Sequence, residues 1–163
     1  MLDLEHRQEA VVVRIRTSAG VLEPELLDGL AAAIIYIGPD RPIVLTGDGG
    51  VFAHDLDPAP GPVRTNALNR LPGVLAALRA HPLPVVAAIN GDAIGAGYTL
   101  AEAAGLRIMS GGVVQPPARH AMHLRPSAAA AAGLVEFHCS PGHLLDLALR
   151  LAAHGRPQTA MAG

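Results

Sequence analysis

The sequence predicts an α/β fold built on a parallel sheet. Three observations carry that expectation. Apolar, β-branched runs of strand length recur along the chain, stretches with helical spacing alternate with them, and glycine or proline marks nearly every junction. At 163 residues, half of them hydrophobic but only 2% aromatic, one domain is expected, spanning 1–154, its core built from Ala, Val, Leu and Ile.

The elements follow in order. Met1 to Ala10 is mixed and charged, and Val11-Val-Val-Arg-Ile15 reads as the first strand. A helix begins at Pro24, where Leu26, Leu27, Leu30, Ile34 and Ile35 share a face, and Gly38-Pro39-Asp40 stops it. Pro42 to Thr46 is a short strand ended by Gly47-Asp-Gly-Gly50. Asp57 to Pro62 is too rich in proline for regular structure and reads as a surface loop. A second helix is expected from about Pro72 to Ala80, before His81-Pro82 breaks it. Past Met109 the pattern loosens around Gly111-Gly112, Pro116-Pro117 and Pro126. Ser127 is placed to cap a short helix, Ala128 to Ala132, with a brief strand at Leu134 to Phe137. Leu144, Leu145, Leu147, Ala148 and Leu151 define a last amphipathic helix, and the tail from Gly155 is expected to fray.

Composition narrows the function. Net charge is −2 with no basic run, which argues against nucleic acid or an anionic membrane as partner. No apolar run approaches the roughly 20 residues of a membrane span, and the first ten residues lack a signal-like apolar stretch. The single Cys139 excludes an internal disulfide and fits a reducing, cytoplasmic setting.

Chemistry concentrates at Pro84 to Leu100. A strand, Val85 to Ile89, breaks at Asn90-Gly91, and Gly95-Ala96-Gly97 opens an apolar helix, Tyr98 to Ala104. Small residues at a helix N-terminus leave backbone N–H groups free where the macrodipole is positive, a setting that suits an anion or a developing oxyanion. A dinucleotide fold is the weaker reading of these glycines. Leu100 stands where the third glycine would, and the motif lies mid-chain rather than after the first strand.

These segments resemble, in order, those of the crotonase (enoyl-CoA hydratase/isomerase) superfamily. Val21-Leu22-Glu-Pro-Glu-Leu-Leu27 resembles the family's early loop and helix start, with Gly20 where Asn is usual. Ile43-Val-Leu-Thr-Gly47 followed by Val51-Phe-Ala53 resembles the strand that leads to its first oxyanion loop. Pro84 to Asn90 with Gly91 and Gly95-Ala-Gly97 resembles the second, and Leu106-Arg-Ile108 follows in place. Ala132-Gly-Leu-Val135 resembles the distal Gly-Leu-Val segment. The resemblance implies a spiral of ββα repeats, truncated here in its second half, which binds an acyl-CoA thioester. Coenzyme A enters as part of the substrate, with no separate cofactor. It also implies assembly into trimers or hexamers, in which the Leu144–Leu151 stripe either serves an interface or packs on its own sheet.

In the family, one backbone N–H from each loop polarises the thioester carbonyl. By ungapped correspondence the donors here are Leu56, or His54 if the loop is gapped, and Ala96, with Val21, Leu22, His54, Gly95 and Gly97 lining the substrate. Where the family carries Ala-Gly before the first donor, this chain has His54-Asp55, so strain is expected if the turn demands positive φ. The family's two glutamates are replaced by Thr99 and by Pro117, and neither side chain serves as a general base at neutral pH. Two other carboxylates are candidates: Glu102, one turn past Thr99, and Glu136, beside the Gly-Leu-Val match. Against Glu102 stand plainer roles, a surface charge or an ion pair with Arg107. Asp92 reads as an Asx-turn residue, and Asp55 and Asp57 read as solvating the proline-rich loop.

His120 and His123 have a spacing that can ligate zinc, but the surrounding prolines and the lack of a nearby Cys or acid favour a solvated pair and no metal. Cys139, beside His138 in sequence, reads as a passive thiol. Three functions remain open: an acyl-CoA enzyme with altered acid–base chemistry, a non-catalytic acyl-CoA-binding or oligomer-forming relative, and the product of an internally deleted gene.

Overall fold

The computed structural model describes residues 1–154 apart from Ser18 and His120; the tail from Gly155 lies outside the described residues. β1 (Leu2–His6) pairs antiparallel with β2 (Val11–Ile15), and α1 (Pro24–Ile37) follows. A strand–strand–helix unit then recurs three times. The first is β3 (Ile43–Thr46), β4 (Val51–Ala53) and α2 (Pro62–Ala80). The second is β5 (Val85–Ile89), β6 (Asp92–Ile94) and α3 (Ala96–Ala103). The third is β7 (Leu106–Met109), β8 (Val114–Gln115) and α4 (Pro126–Ala131), after which β9 (Phe137–His138) and α5 (Leu144–His154) close the fold.

Each unit advances one step along two sheets. Its first strand extends a six-stranded sheet ordered β1-β2-β3-β5-β7-β9, and its second extends a three-stranded sheet ordered β4-β6-β8. Among the described strands, every strand pair except β1 with β2 is parallel. Parallel strands are covered on both faces, so their side chains are apolar in both directions. Val12, Val44, Val86, Ala88 and Ile108 face α5, where Leu144, Ala148, Leu149 and Ala152 meet them. Val13, Ile43, Leu45, Val85, Ala87 and Ile89 face the opposite core, with α1, α2, α3 and the wholly buried Phe52 of β4. The C-terminal apolar stripe therefore packs on its own sheet.

Several elements differ from the sequence expectation. β1 lies within the charged first ten residues, its side chains half-buried or exposed as an edge strand allows. α2 starts ten residues earlier than expected, with Pro62 at its first turn, and runs through Pro72. It buries only Ala67, Val74 and Leu78, so its periodicity is faint, and the exposed Pro72 resembles a start signal while sitting mid-helix. The helix after the glycines begins at Ala96 and ends at Ala103, not Tyr98 to Ala104. Arg125, not Ser127, is the N-cap of α4, with no side-chain cap bond. Of Leu134 to Phe137 only Phe137 pairs, together with His138. β4, β6 and β8 span three, three and two residues, too short to show a period of their own.

Candidate functional site

β3 and β5 are neighbours in the large sheet, so the loops that leave them leave side by side. Asn90, at the end of β5, joins them. Its Oδ1 accepts the Gly47 N–H at 2.9 Å, and its Nδ2 donates to the carbonyls of Gly49 at 2.9 Å and Val51 at 3.2 Å. Beyond this stitch, β4 and β6 pair in the small sheet and deliver residues 54–56 against the start of α3. The approach is close enough to require glycine. A Cβ on Gly97 would stand 1.9 Å from the Ala53 carbonyl oxygen, and one on Gly95, which sits at φ +57°, would stand 2.2 Å from Asp55 Oδ2.

Two backbone donors converge there. The Leu56 N–H lies 2.8 Å and the Ala96 N–H 3.1 Å from a single oxygen, Asp55 Oδ1. The His54 N–H instead donates to the Gly20 carbonyl at 2.8 Å, and the Leu22 N–H donates to the Asp55 carbonyl at 3.2 Å. Those two bonds lay the early loop along the first site loop. Asp55 thus does more than solvate its loop. The strain expected for His54-Asp55 is also absent: among the described residues, Ala19 and Ala118 alone are non-glycine at positive φ.

A cavity of about 500 Å³ opens at this point, lined by Val21, His54, Asp55, Leu56, Arg64 and Ile94, with Pro58 at its edge. A second of about 300 Å³ lies on the other side of His54, bordered by Arg16, Gly20 and Asp48. Leu22 is wholly buried in the core and lines neither. A larger apolar hollow of about 540 Å³, between β1 and α1 around Leu2, Leu26 and Tyr36, is lined by none of these site residues.

The polar side chains divide between site and scaffold. His54 Nε2 lies 3.7 Å from Asp92 Oδ2, beyond hydrogen-bonding distance. Asp92 is a β6 residue rather than an Asx turn, and its Oδ1 accepts the Val113 N–H at 3.0 Å. Thr99 Oγ1 turns back onto its own helix, 3.3 Å from the Gly95 carbonyl. Glu102 is exposed, and Pro117 is exposed just past β8. The carboxylate that pairs with Arg107 is Glu136, not Glu102. One Glu136 oxygen accepts the Arg107 N–H at 2.7 Å and the other meets the guanidinium at 2.9 Å. Glu136 therefore fastens the chain entering β9 to β7.

Tyr98 escaped the sequence reading. It is buried in the first turns of α3, and its hydroxyl donates to the Leu134 carbonyl at 2.8 Å, tying the helix to the Gly-Leu-Val segment. Burial raises its pKa above the ordinary 10.0, against the opposing pull of the Arg107 charge. One of only two tyrosines, inside an otherwise small and apolar helix, was the available signal. Burial likewise raises the Cys139 thiol above its ordinary range. Among the described residues no three His, Cys, Asp or Glu side chains gather as a metal site needs; His120 lies outside them.

The repeat architecture is that of the crotonase fold. A solved enoyl-CoA hydratase from Bacillus anthracis superposes with a TM-score of 0.82 at 20% identity, covering 93% of this chain and 74% of that one. DspI of Pseudomonas aeruginosa superposes with a TM-score of 0.83 at 24% identity, covering 99% of this chain and 82% of that one. At such identities these likenesses establish the fold alone.

Sequence supplies the family. A model of the enoyl-CoA hydratase/isomerase family matches residues 8–113, and the chain belongs to that family. A probable enoyl-CoA hydratase of Mycobacterium tuberculosis, echA6, is 40% identical over 91 residues, which is 55% of this chain and 37% of that protein. A probable enoyl-CoA hydratase of Rhodobacter capsulatus is 37% identical over 95 residues, again 37% of its length. The match thus spans well under half of these relatives.

Proposed function

We propose that this protein recognises an acyl-CoA thioester, its carbonyl oxygen held between the N–H groups of Leu56 and Ala96. One observation supports this above all: two main-chain donors, 40 residues apart in sequence, already point at one oxygen atom at 2.8 and 3.1 Å. Family membership supplies the substrate class. A thioester oxygen gains negative charge as an enolate forms, and fixed donors in a partly dry site stabilise that charge by several kcal/mol. The acyl group would enter the 500 Å³ cavity past Val21 and Ile94.

Paired-carboxylate hydration is not part of the proposal. Thr99 and Pro117 hold the positions of the family's glutamates, Glu136 is committed to Arg107, and Glu102 faces solvent. These placements favour an acyl-CoA-binding protein, or an enolate-stabilising one with atypical proton transfer, over a hydratase. A cytoplasmic homo-oligomer, trimeric or hexameric, belongs to the same reading.

A thermal melt with crotonyl-CoA tests it. Ligand at about 100 times its Kd adds about 2.7 kcal/mol, worth roughly 5–10 °C in a chain of this size. Free coenzyme A, which lacks the carbonyl, should give a smaller rise. Equal rises with both compounds, or none with either in a protein that melts cooperatively, would count against thioester recognition.

A further inference from the structure

The two donors assigned to the thioester already have an occupant. Asp55 Oδ1 takes both the Leu56 and the Ala96 N–H, the geometry a carbonyl oxygen would need. Its second oxygen lies against Gly95, where the absence of a Cβ makes room for it. Among the described residues no ion pair holds this carboxylate. Arg64, on the same cavity, donates to the Asp57 carbonyl at 2.9 Å, and the His54 ring lies towards Asp92, 3.7 Å from its Oδ2. The residue is exposed and lines the cavity, so a displaced side chain has water to turn into.

We infer that Asp55 is an internal ligand of the acyl site, seated in the resting protein where the thioester oxygen is to bind, so that an acyl-CoA enters only by displacing it. The inference rests on the thioester reading above. A carboxylate on two N–H groups makes charge-assisted bonds, stronger than those a neutral carbonyl makes with the same donors, and the α3 N-terminus adds to the preference. The chain also carries the carboxylate to the donors, whereas a ligand must arrive from solution. Apparent affinity is then the intrinsic affinity reduced by the fraction of molecules with Asp55 swung out. As a consequence, the site discriminates by charge: an enolate oxygen competes with the plug better than the ground-state carbonyl does.

Asp55→Gly removes the plug and leaves both backbone donors; Asp55→Asn keeps the shape and removes the charge. Crotonyl-CoA and free coenzyme A are titrated calorimetrically into all three proteins, and the amide proton shifts of Leu56 and Ala96 are read by NMR. The expected result is crotonyl-CoA affinity at least about tenfold higher in Asp55→Gly and intermediate in Asp55→Asn. Coenzyme A affinity should be unchanged, and both amide protons should move upfield in the variants. Equal crotonyl-CoA affinity in all three, with those amide shifts unmoved, overturns the plug and leaves thioester recognition standing. No crotonyl-CoA binding by any of three cooperatively melting proteins removes the thioester reading, and the competition with it. If Asp55→Gly does not fold, Asp55→Asn decides alone, and a gain below about threefold overturns the inference.

Discussion

Substituting Gly97 by alanine tests the closeness of the two site loops. The new Cβ would lie 1.9 Å from the Ala53 oxygen, 2.5 Å from the Ala53 carbonyl carbon and 2.9 Å from the His54 oxygen. Normal carbon–oxygen contact is about 3.3 Å, so the loops must part by roughly 1.4 Å. All three obstructing atoms are backbone, so no side-chain rotation relieves them. Overpacking of this kind costs about 3 kcal/mol, the upper part of its usual range. Alanine returns about 1 kcal/mol through its better helix propensity, leaving a net loss of about 2 kcal/mol. For a chain of this size that lowers Tm by about 4–8 °C. Gly73→Ala is the matched control. It lies inside α2 with nothing within 4 Å of its added Cβ, so propensity acts alone and raises Tm by about 2–4 °C. Circular dichroism melts of the two variants, each with and without crotonyl-CoA, give the comparison. The ligand-induced rise should persist in Gly73→Ala and shrink in Gly97→Ala, whose donors are no longer aligned. A Gly97→Ala protein melting within 1 °C of its parent would show that Ala53 and α3 are not in contact, and the paired-donor geometry would fall with it.

Two further outcomes follow from the scaffold. Glu136→Gln keeps shape but weakens the Arg107 clamp, and Arg107→Met also removes donors to the carbonyls of Glu102 and Ala104. Urea unfolding should show losses of about 1 and about 2–3 kcal/mol respectively, the smaller reflecting partial solvent exposure of the pair. An acid–base role for Glu136 would instead appear as lost turnover at unchanged stability. Tyr98 sets a limit at alkaline pH. Its folded pKa is raised above 10.0, so the stability it contributes is whole below pH 10 and lost as pH climbs through the folded value. Melts in alkaline buffers should therefore show a fall in Tm beyond pH 10 that Tyr98→Phe blunts; identical pH profiles would refute it.

The strands of the large sheet were legible because each is a short apolar run with a clear stop: Thr46-Gly47 ends β3 and Ile89-Asn90 ends β5. The helices with one buried stripe, α1 and α5, were legible for the same reason. α2 was half-read because it buries only three of its 19 residues and carries a proline in its middle. The small sheet was invisible because its strands are held by neighbours in other units rather than by their own composition. At the site, Gly95-Ala96-Gly97 marked a helix start with free backbone N–H groups, and in the structure the two glycines also admit a close backbone approach. What they approach was not readable. Nothing in His54-Asp55-Leu56 indicates that the aspartate folds back to accept the N–H of its own neighbour and that of Ala96, because that bond depends on the registry of β4 against β6.

The same contrast bears on how such a site tolerates change. A backbone donor is positioned by strand pairing, by the Asn90 stitch and by two glycines, so the side chains of residues 54–56 can vary while the Leu56 and Ala96 N–H groups stay in place. A catalytic acid has no such protection. It must project from one Cα in one direction, and a single substitution removes it. A chain of this kind can therefore keep the means to hold an oxygen while lacking the means to move a proton. Asp55 goes one step further, since a carboxylate introduced beside two preformed donors finds them before any ligand does. The fold that makes the donors robust also makes them easy to occupy from within, and acyl-CoA affinity then depends on the side chain of residue 55.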